Sequence, residues 1–112
     1  MDLKQLKQAV ETNGGATLTS DLDPAIVDGG YMVSLAGHEI KTSMNLLTSD
    51  LLKEYQRIAE QCNAYVGLWL DGRDLYLDIS VNIQDQQQAI KMARDNKQLA
   101  IYQVRTGASL YV

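Results

Sequence analysis

The fold is decided by residues 65–83, which read YVGLWLDGRDLYLDISVNI. Apolar and polar residues alternate on both sides of Asp71-Gly72, and Asp-Gly between two such runs is a strong β-hairpin signal. We expect the turn at these two residues, with Leu70 opposite Arg73. One face of the hairpin is then aliphatic. The other face carries Tyr65, Gly67, Trp69, Asp74, Tyr76 and Asp78.

Three helices are predicted around this hairpin by capping residues and apolar periodicity. The first runs over Asp2–Thr12, with Gln5 completing a capping box. The second runs over Ser49–Asn63, and its apolar stripe includes Cys62. The third begins after Asp85, which has the residue type of an N-cap.

The remaining strands are predicted from short runs rich in β-branched and aromatic residues between turn signals. Ala16–Thr19 is a strand, and Tyr31–Met44 is a hairpin around Gly37-His38. Leu99–Val104 and Ala108–Val112 form a last hairpin with a three-residue loop. We therefore expect a single α+β domain over residues 1–112, a mostly antiparallel sheet built from hairpins with about three helices mainly on one face.

Composition narrows the function classes. The chain has 112 residues, a net charge of −4 and one cysteine, so it forms no internal disulfide. We expect a cytoplasmic protein without a signal peptide, because the N-terminal segment has the pattern of an amphipathic helix. No apolar run approaches the ~20 residues of a membrane span. An acidic balance does not favour binding to nucleic acid or anionic lipid.

Residues suited to catalysis or metal binding are few. His38 lies in a predicted turn without an orienting partner, and Cys62 is expected to be buried as a small hydrophobe. One histidine and one cysteine exclude a tetrahedral zinc site. The aspartates of the Asp21–Gly30 loop could bind a cation but lack the ligand spacing of an EF-hand. We therefore expect a protein that is not an enzyme and carries no cofactor or metal.

The aromatic face of the hairpin is the strongest candidate for function. Exposed tryptophan and tyrosine on a rigid sheet are good interface anchors, because they bury a large area and lose few rotamers. If the helices cover only the aliphatic face, this face is free to bind another protein or a second copy of the chain. The alternative is that another element, such as the N-terminal helix, covers it. The predicted binding residues are Tyr65, Trp69, Asp74, Tyr76 and Asp78.

A second candidate is a basic patch near the C-terminus. Residues 85–112 carry two acids and four bases. Such a patch could contact phosphate, but it has no aromatic platform, so a solvated helix face is favoured. The patch predicts, as an alternative, a small nucleic-acid-associated protein. Its residues are Lys91, Arg94, Lys97 and Arg105.

The C-terminal part of the chain resembles a group of known proteins. The residues concerned are Leu75–Ser80, then Ala89-Ile90, then Gln98–Tyr102. This order resembles small uncharacterised proteins from phages and mobile elements of Gram-positive bacteria. The resemblance implies an accessory protein of a phage or mobile element and carries no functional residue over. Together with the aromatic face, it predicts a non-catalytic protein-binding module, with inhibition of a host defence protein as one role.

Overall fold

The computed structural model, which describes residues 1–112, contains three α-helices and one seven-stranded antiparallel sheet. The predicted α+β class is confirmed. In chain order the elements are α1 Leu3–Asn13, β1 Gly15–Leu18, β2 Tyr31–Ser34, β3 Ile40–Thr42, a 3₁₀ turn Met44–Leu46, α2 Ser49–Cys62, β4 Tyr65–Asp71, β5 Asp74–Ile83, α3 Gln86–Asp95, β6 Ala100–Gln103 and β7 Ala108–Tyr111.

The helices begin where the capping residues predict. Asp2 and Gln5 form the complete capping box at the start of α1. The side chain of Thr48 accepts a hydrogen bond from the backbone N–H of Leu51, and that of Asp85 accepts one from Gln88 at 2.9 Å. Each bond satisfies a donor that the first helical turn leaves without a partner.

The β4–β5 hairpin forms as predicted, but its turn lies one residue further along the chain. Asp71 is opposite Asp74, so the turn residues are Gly72 and Arg73. Of these only Gly72 has positive φ, at 63°, which suits a type II′ turn. The predicted pairing of Leu70 with Arg73 is therefore wrong by two residues. A two-residue shift leaves every side chain on its predicted face, because the side-chain period is two.

The predicted hairpin over Tyr31–Met44 is wrong. β2 and β3 do not pair with each other. They lie end to end along the same side of β5, with Ser34 opposite Ser80 and Ile40 opposite Leu77. Residues 35–39 therefore form a bulge, because only two residues of β5, Asp78 and Ile79, lie opposite these five. The ten-residue β5 is longer than either neighbour and offers both segments a partner, so Gly37 serves a bulge instead of a chain reversal.

The two ends of the sheet differ. The strand order is β1-β4-β5-β2-β6-β7, and β3 pairs with β5 beside β2. At the first end, Ala25 donates its N–H to the carbonyl of Thr17 and a β-bridge joins Leu18 to Pro24, so the following loop covers β1. At the other end the predicted β6–β7 hairpin forms. Its loop has four residues, because Gln103 lies opposite Ala108.

All three helices pack on one face of the sheet, which we call the covered face. α1 contributes Leu6 and Val10 to its core. α2 contributes buried residues to the same cluster, and α3 contributes Ala89 and Ala93 to a second cluster under β2 and β6. Cys62 was predicted on the buried stripe of α2, but it is exposed. The helix ends there, and Ala64 is the next residue to be buried.

Candidate functional site

The predicted aromatic face lies opposite the helices, and we call it the helix-free face. Tyr65, Trp69 and Tyr76 lie on it, as do Asp74 and Asp78. The Trp69 side chain is 43% exposed, and the two tyrosines are half-buried. The alternative that α1 covers these rings is wrong, since α1 packs into the core of the covered face.

Trp69 and Tyr76 form one aromatic unit. They are directly opposite each other on β4 and β5, and their ring centroids lie 4.5 Å apart with an angle of 17° between the planes. Gly15 on β1 lies on the other side of Trp69, where a Cβ would come within 3.2 Å of the Trp69 Cβ. β1 therefore supports the indole of Trp69 on one side, and the phenol of Tyr76 supports it on the other. The stack is therefore a rigid, partly exposed apolar platform.

Small side chains in the middle of the helix-free face create a cleft of about 870 Å³. Its floor contains Gly67, Ser34 and Ser80, which occupy neighbouring positions on β4, β2 and β5. Trp69 and Tyr102 are large residues that line it at different ends. Tyr102 is adjacent to Met32, which lies opposite Asn82, whereas Trp69 lies opposite Tyr76. The two ends of the cleft are therefore six residues apart along β5, from Tyr76 to Asn82, which corresponds to about 20 Å.

Asp78 lines this cleft with a carboxylate that has one protein partner. Its Oδ2 accepts a hydrogen bond of 2.7 Å from the Ser34 hydroxyl. Its Oδ1 lies over Gly67, where an added Cβ would overlap it. Burial raises the pKa of Asp78, and the hydrogen bond from Ser34 opposes that rise. No basic group lies within salt-bridge distance, because the only ion pair in the protein joins the N-terminal amine to Asp23.

Two further charged residues line the cleft, Glu39 and Lys97. Both are exposed. Glu39, Ser34 and Tyr102 were not predicted on the binding face, because the sequence pattern paired β2 with β3 and gave β6 no place in the sheet. The sequence signal that could have found Ser34 is the alternation in residues 31–34. Tyr31 and Val33 face the core, so Ser34 lies on the opposite face.

The predicted basic patch is spread over the structure. Lys91 and Arg94 are exposed on α3. Lys97 lies beyond the C-terminal end of that helix and lines the cleft. Arg105 is in the loop after β6, where Val104 donates to the carbonyl of Gly30, close to the start of α3. The ten residues of α3, about 15 Å of helix, therefore separate Arg105 from Lys97.

The remaining reactive residues have structural surroundings. The carbonyl of His38, in the bulge, accepts a hydrogen bond from the phenol of Tyr55. Burial, followed by the negative charges of Asp78, Glu54 and Glu39, raises the pKa of Tyr55 to about 12. No hydrogen bond joins His38 to Cys62, which is seven residues, or about 10 Å of helix, beyond Tyr55.

No three histidine, cysteine, aspartate or glutamate side chains converge on a point that could hold a metal ion, and this includes the aspartates of the Asp21–Gly30 loop. None of the helices combines the length and the apolar character needed to cross a membrane. The chain matches no known family, no curated protein and no solved structure.

Proposed function

We propose that this protein is a non-catalytic binding module that docks another protein on its helix-free face. One observation carries the proposal. A stacked Trp69–Tyr76 pair stands on a sheet face that no helix covers, beside a large cleft. Tryptophan and tyrosine dominate binding energy at interfaces when they sit at the centre of a patch that a partner can desolvate.

The chemistry of the face supports binding rather than turnover. The Ser34 hydroxyl donates a hydrogen bond to the carboxylate of Asp78, and no histidine is hydrogen-bonded to that pair. The only histidine contributes a backbone carbonyl to the structure, and the only cysteine lies on the helical side. A serine paired with a carboxylate alone lacks the histidine or lysine that activates the serine nucleophile in the usual arrangements.

The setting follows from the resemblance of Leu75–Ser80 and Gln98–Tyr102 to small phage and mobile-element proteins. In such a setting, the partner would be a host protein in the cytoplasm, and inhibition of a host defence protein is the role we favour. The excess of four acids over bases is too small for a general mimic of DNA. The aromatic platform would therefore contribute most of the affinity.

A photo-crosslinking experiment tests the docking face. A photoreactive phenylalanine analogue replaces Trp69 in one variant and Ile26 in another, and both are expressed in the native host. Ile26 is the matched control, because it is a large apolar residue that is 92% exposed outside the helix-free face. We expect a discrete crosslinked partner from position 69 that position 26 does not give.

A double substitution provides the second part of this test. Trp69→Ala with Tyr76→Ala should abolish association with the crosslinked partner, while the far-ultraviolet circular dichroism spectrum stays unchanged. Ile26→Ala should leave association intact. Equal crosslinking from both positions, or full association of the folded double variant, would discard the helix-free face as the docking surface.

A further inference from the structure

The floor of the cleft contains a carboxylate without a cation. Asp78 lies partly buried between Gly67 and Ser34, and the Ser34 hydroxyl occupies one of its two oxygens. The other oxygen, Oδ1, accepts no hydrogen bond from the protein and lies against Gly67, which also lines the cleft. A carboxylate removed from water is destabilised unless a positive group or several donors face it. A ligand that binds at this carboxylate therefore has to supply a positive group or several donors to Oδ1.

The aromatic stack stands next to this carboxylate. Tyr76 and Asp78 are two residues apart on β5, and their cross-strand neighbours are Trp69 and Gly67. Side chains two residues apart on a strand point to the same face, about 7 Å from each other. A planar cation that donates to Oδ1 can therefore lie beside the stack. Guanidinium combines the flat, weakly hydrated surface and the directed N–H groups that this arrangement requires.

The balance of charge agrees with a positive ligand. Two carboxylates, those of Asp78 and Glu39, and one ammonium group, that of Lys97, line the cleft. Lys97 is exposed, and no salt bridge ties it to either acid. With Asp78 ionised, these three lining side chains carry a net charge of −1, which a bound cation neutralises.

The shape of the cleft indicates a chain segment rather than a small molecule. The cleft extends over about 20 Å between the positions of Trp69 and Tyr102, a length that about six extended residues would span. Its walls are partly apolar, with Leu99 80% exposed and Tyr102 46% exposed. A segment with one arginine and apolar neighbours would satisfy the carboxylate and cover these side chains.

We infer that the cleft of the helix-free face binds an extended segment of the partner protein through one arginine, whose guanidinium donates to the Oδ1 of Asp78 beside the Trp69–Tyr76 stack. This inference rests on the proposed function and names the group that the partner presents. Ser34 is a positioning residue, because its hydroxyl holds Oδ2 and so fixes the orientation of the carboxylate.

Peptide titrations test the inference with a built-in spectroscopic probe. Trp69 is the only tryptophan, so its emission reports on this face alone. The probes are the peptide acetyl-Ser-Leu-Arg-Leu-Ser-amide, the same peptide with neutral citrulline in place of arginine, and acetylarginine amide. We expect saturable quenching by the arginine peptide and at least about ten-fold weaker binding of the citrulline peptide, which loses a charge-assisted hydrogen bond.

Two variants locate the charge that matters. Asp78→Asn keeps the size of the side chain and should reduce the affinity for the arginine peptide to that of the citrulline peptide. Asp21→Asn removes the same charge from an exposed loop residue and should change little. The unfolding midpoint of each variant shows that it is folded. Weaker binding that the emission of Trp69 still detects at high peptide concentration shows that the stack of Asp78→Asn is intact.

Four results would overturn the inference. One is equal affinity for the arginine and citrulline peptides, and another is an Asp78→Asn variant that binds the arginine peptide at full strength. The third is acetylarginine amide binding as tightly as the peptide, since the occupant would then be a free guanidinium compound. A concentration-dependent dimer that the Trp69→Ala, Tyr76→Ala variant dissolves would make the occupant a second copy, which also overturns it.

The inference and the proposed function can fail separately. If the crosslinks at position 69 identify a partner and the peptides show no preference for arginine, the docking face stands and the arginine contact is wrong. If position 69 crosslinks no more than position 26, the proposed function fails, whatever the peptides show.

Discussion

The two faces of one sheet differ in how completely their side chains are packed. On the covered face, β5 presents Leu75, Leu77 and Ile79, each fully buried under the helices. On the helix-free face, the same strand presents Tyr76, Asp78 and Ser80, among which only the serine is buried. Since both faces share every backbone hydrogen bond, the difference lies in the side chains alone. The covered face contributes stability, and the helix-free face is free to serve recognition.

The largest effect should come from truncating the covered face. Leu77→Ala removes a fully buried side chain at the centre of the sheet and should lower the free energy of unfolding by about 2–5 kcal/mol. Trp69→Ala, on the partly exposed stack, should cost less, because 43% of that side chain already contacts water and the aromatic coupling adds only about 0.5–1.5 kcal/mol. Urea denaturation of both variants measures the contrast. A larger loss for Trp69→Ala would mean that the helix-free face is a second core.

A substitution at Gly67 should show that close packing on the helix-free face is local. Gly67→Ala places a methyl group on the Oδ1 of Asp78 and should lower the free energy of unfolding by about 1–3 kcal/mol. Adding Asp78→Ala removes the overlap and should restore most of that loss, giving a positive coupling in a double-mutant cycle. Purely additive losses would show that the overlap with Asp78 is not the reason for a glycine at this position.

The sequence predicted the two faces more reliably than it predicted which strands are neighbours. Alternation in residues 65–83 placed the side chains of Tyr65, Trp69, Asp74, Tyr76 and Asp78 on their observed face, even though the turn shifted and Asp71 proved to belong to β4. Alternation is local and insensitive to a two-residue slip. The three helix starts were equally local, since each cap bonds within three residues.

The pairing of strands that are distant in the sequence could not be predicted from local patterns in the same way. Gly37-His38 has the composition of a turn, yet β5 accepts β2 and β3 in line, and this decision depends on a strand more than thirty residues away. The same error hid Ser34 and Tyr102, and therefore the cleft. Cys62 fits the apolar period of α2, but the period does not show where the helix passes the edge of the core.

A substitution at the boundary between the two faces should have an intermediate effect on the free energy of unfolding. Tyr55 lies in the core of the covered face, and its phenol donates to the carbonyl of His38 in the bulge between β2 and β3. Tyr55→Phe keeps the ring and removes that bond, and should cost about 1 kcal/mol. Hydrogen exchange should increase in residues 35–39 more than in β4 or β5. Unchanged exchange there would show that the bond does not hold the bulge.

The smallest effect should be a change in the pH dependence of stability. Burial raises the pKa of Asp78 above its ordinary value of 3.8, so the native state favours the protonated carboxyl more than the unfolded state does. The resulting stabilisation is fully present below pH 3.8 and is lost as the pH rises through the pKa of the folded protein. Asp78→Asn removes this titration, and its amide oxygen can still accept the Ser34 hydroxyl hydrogen bond.

The free energy of unfolding of Asp78→Asn, relative to that of the parent protein, should therefore increase as the pH is raised from 4 to 7, and Asp21→Asn should show no such trend. Urea denaturation at several pH values measures this difference. A relative stability of Asp78→Asn that falls with pH would mean that the ionised carboxylate is stabilised in the native state. In that case, groups on the helix-free face would already stabilise the ionised Asp78 carboxylate. The contrast between a covered face that is fully packed and a helix-free face that leaves Asp78 for a ligand would then lose its main example.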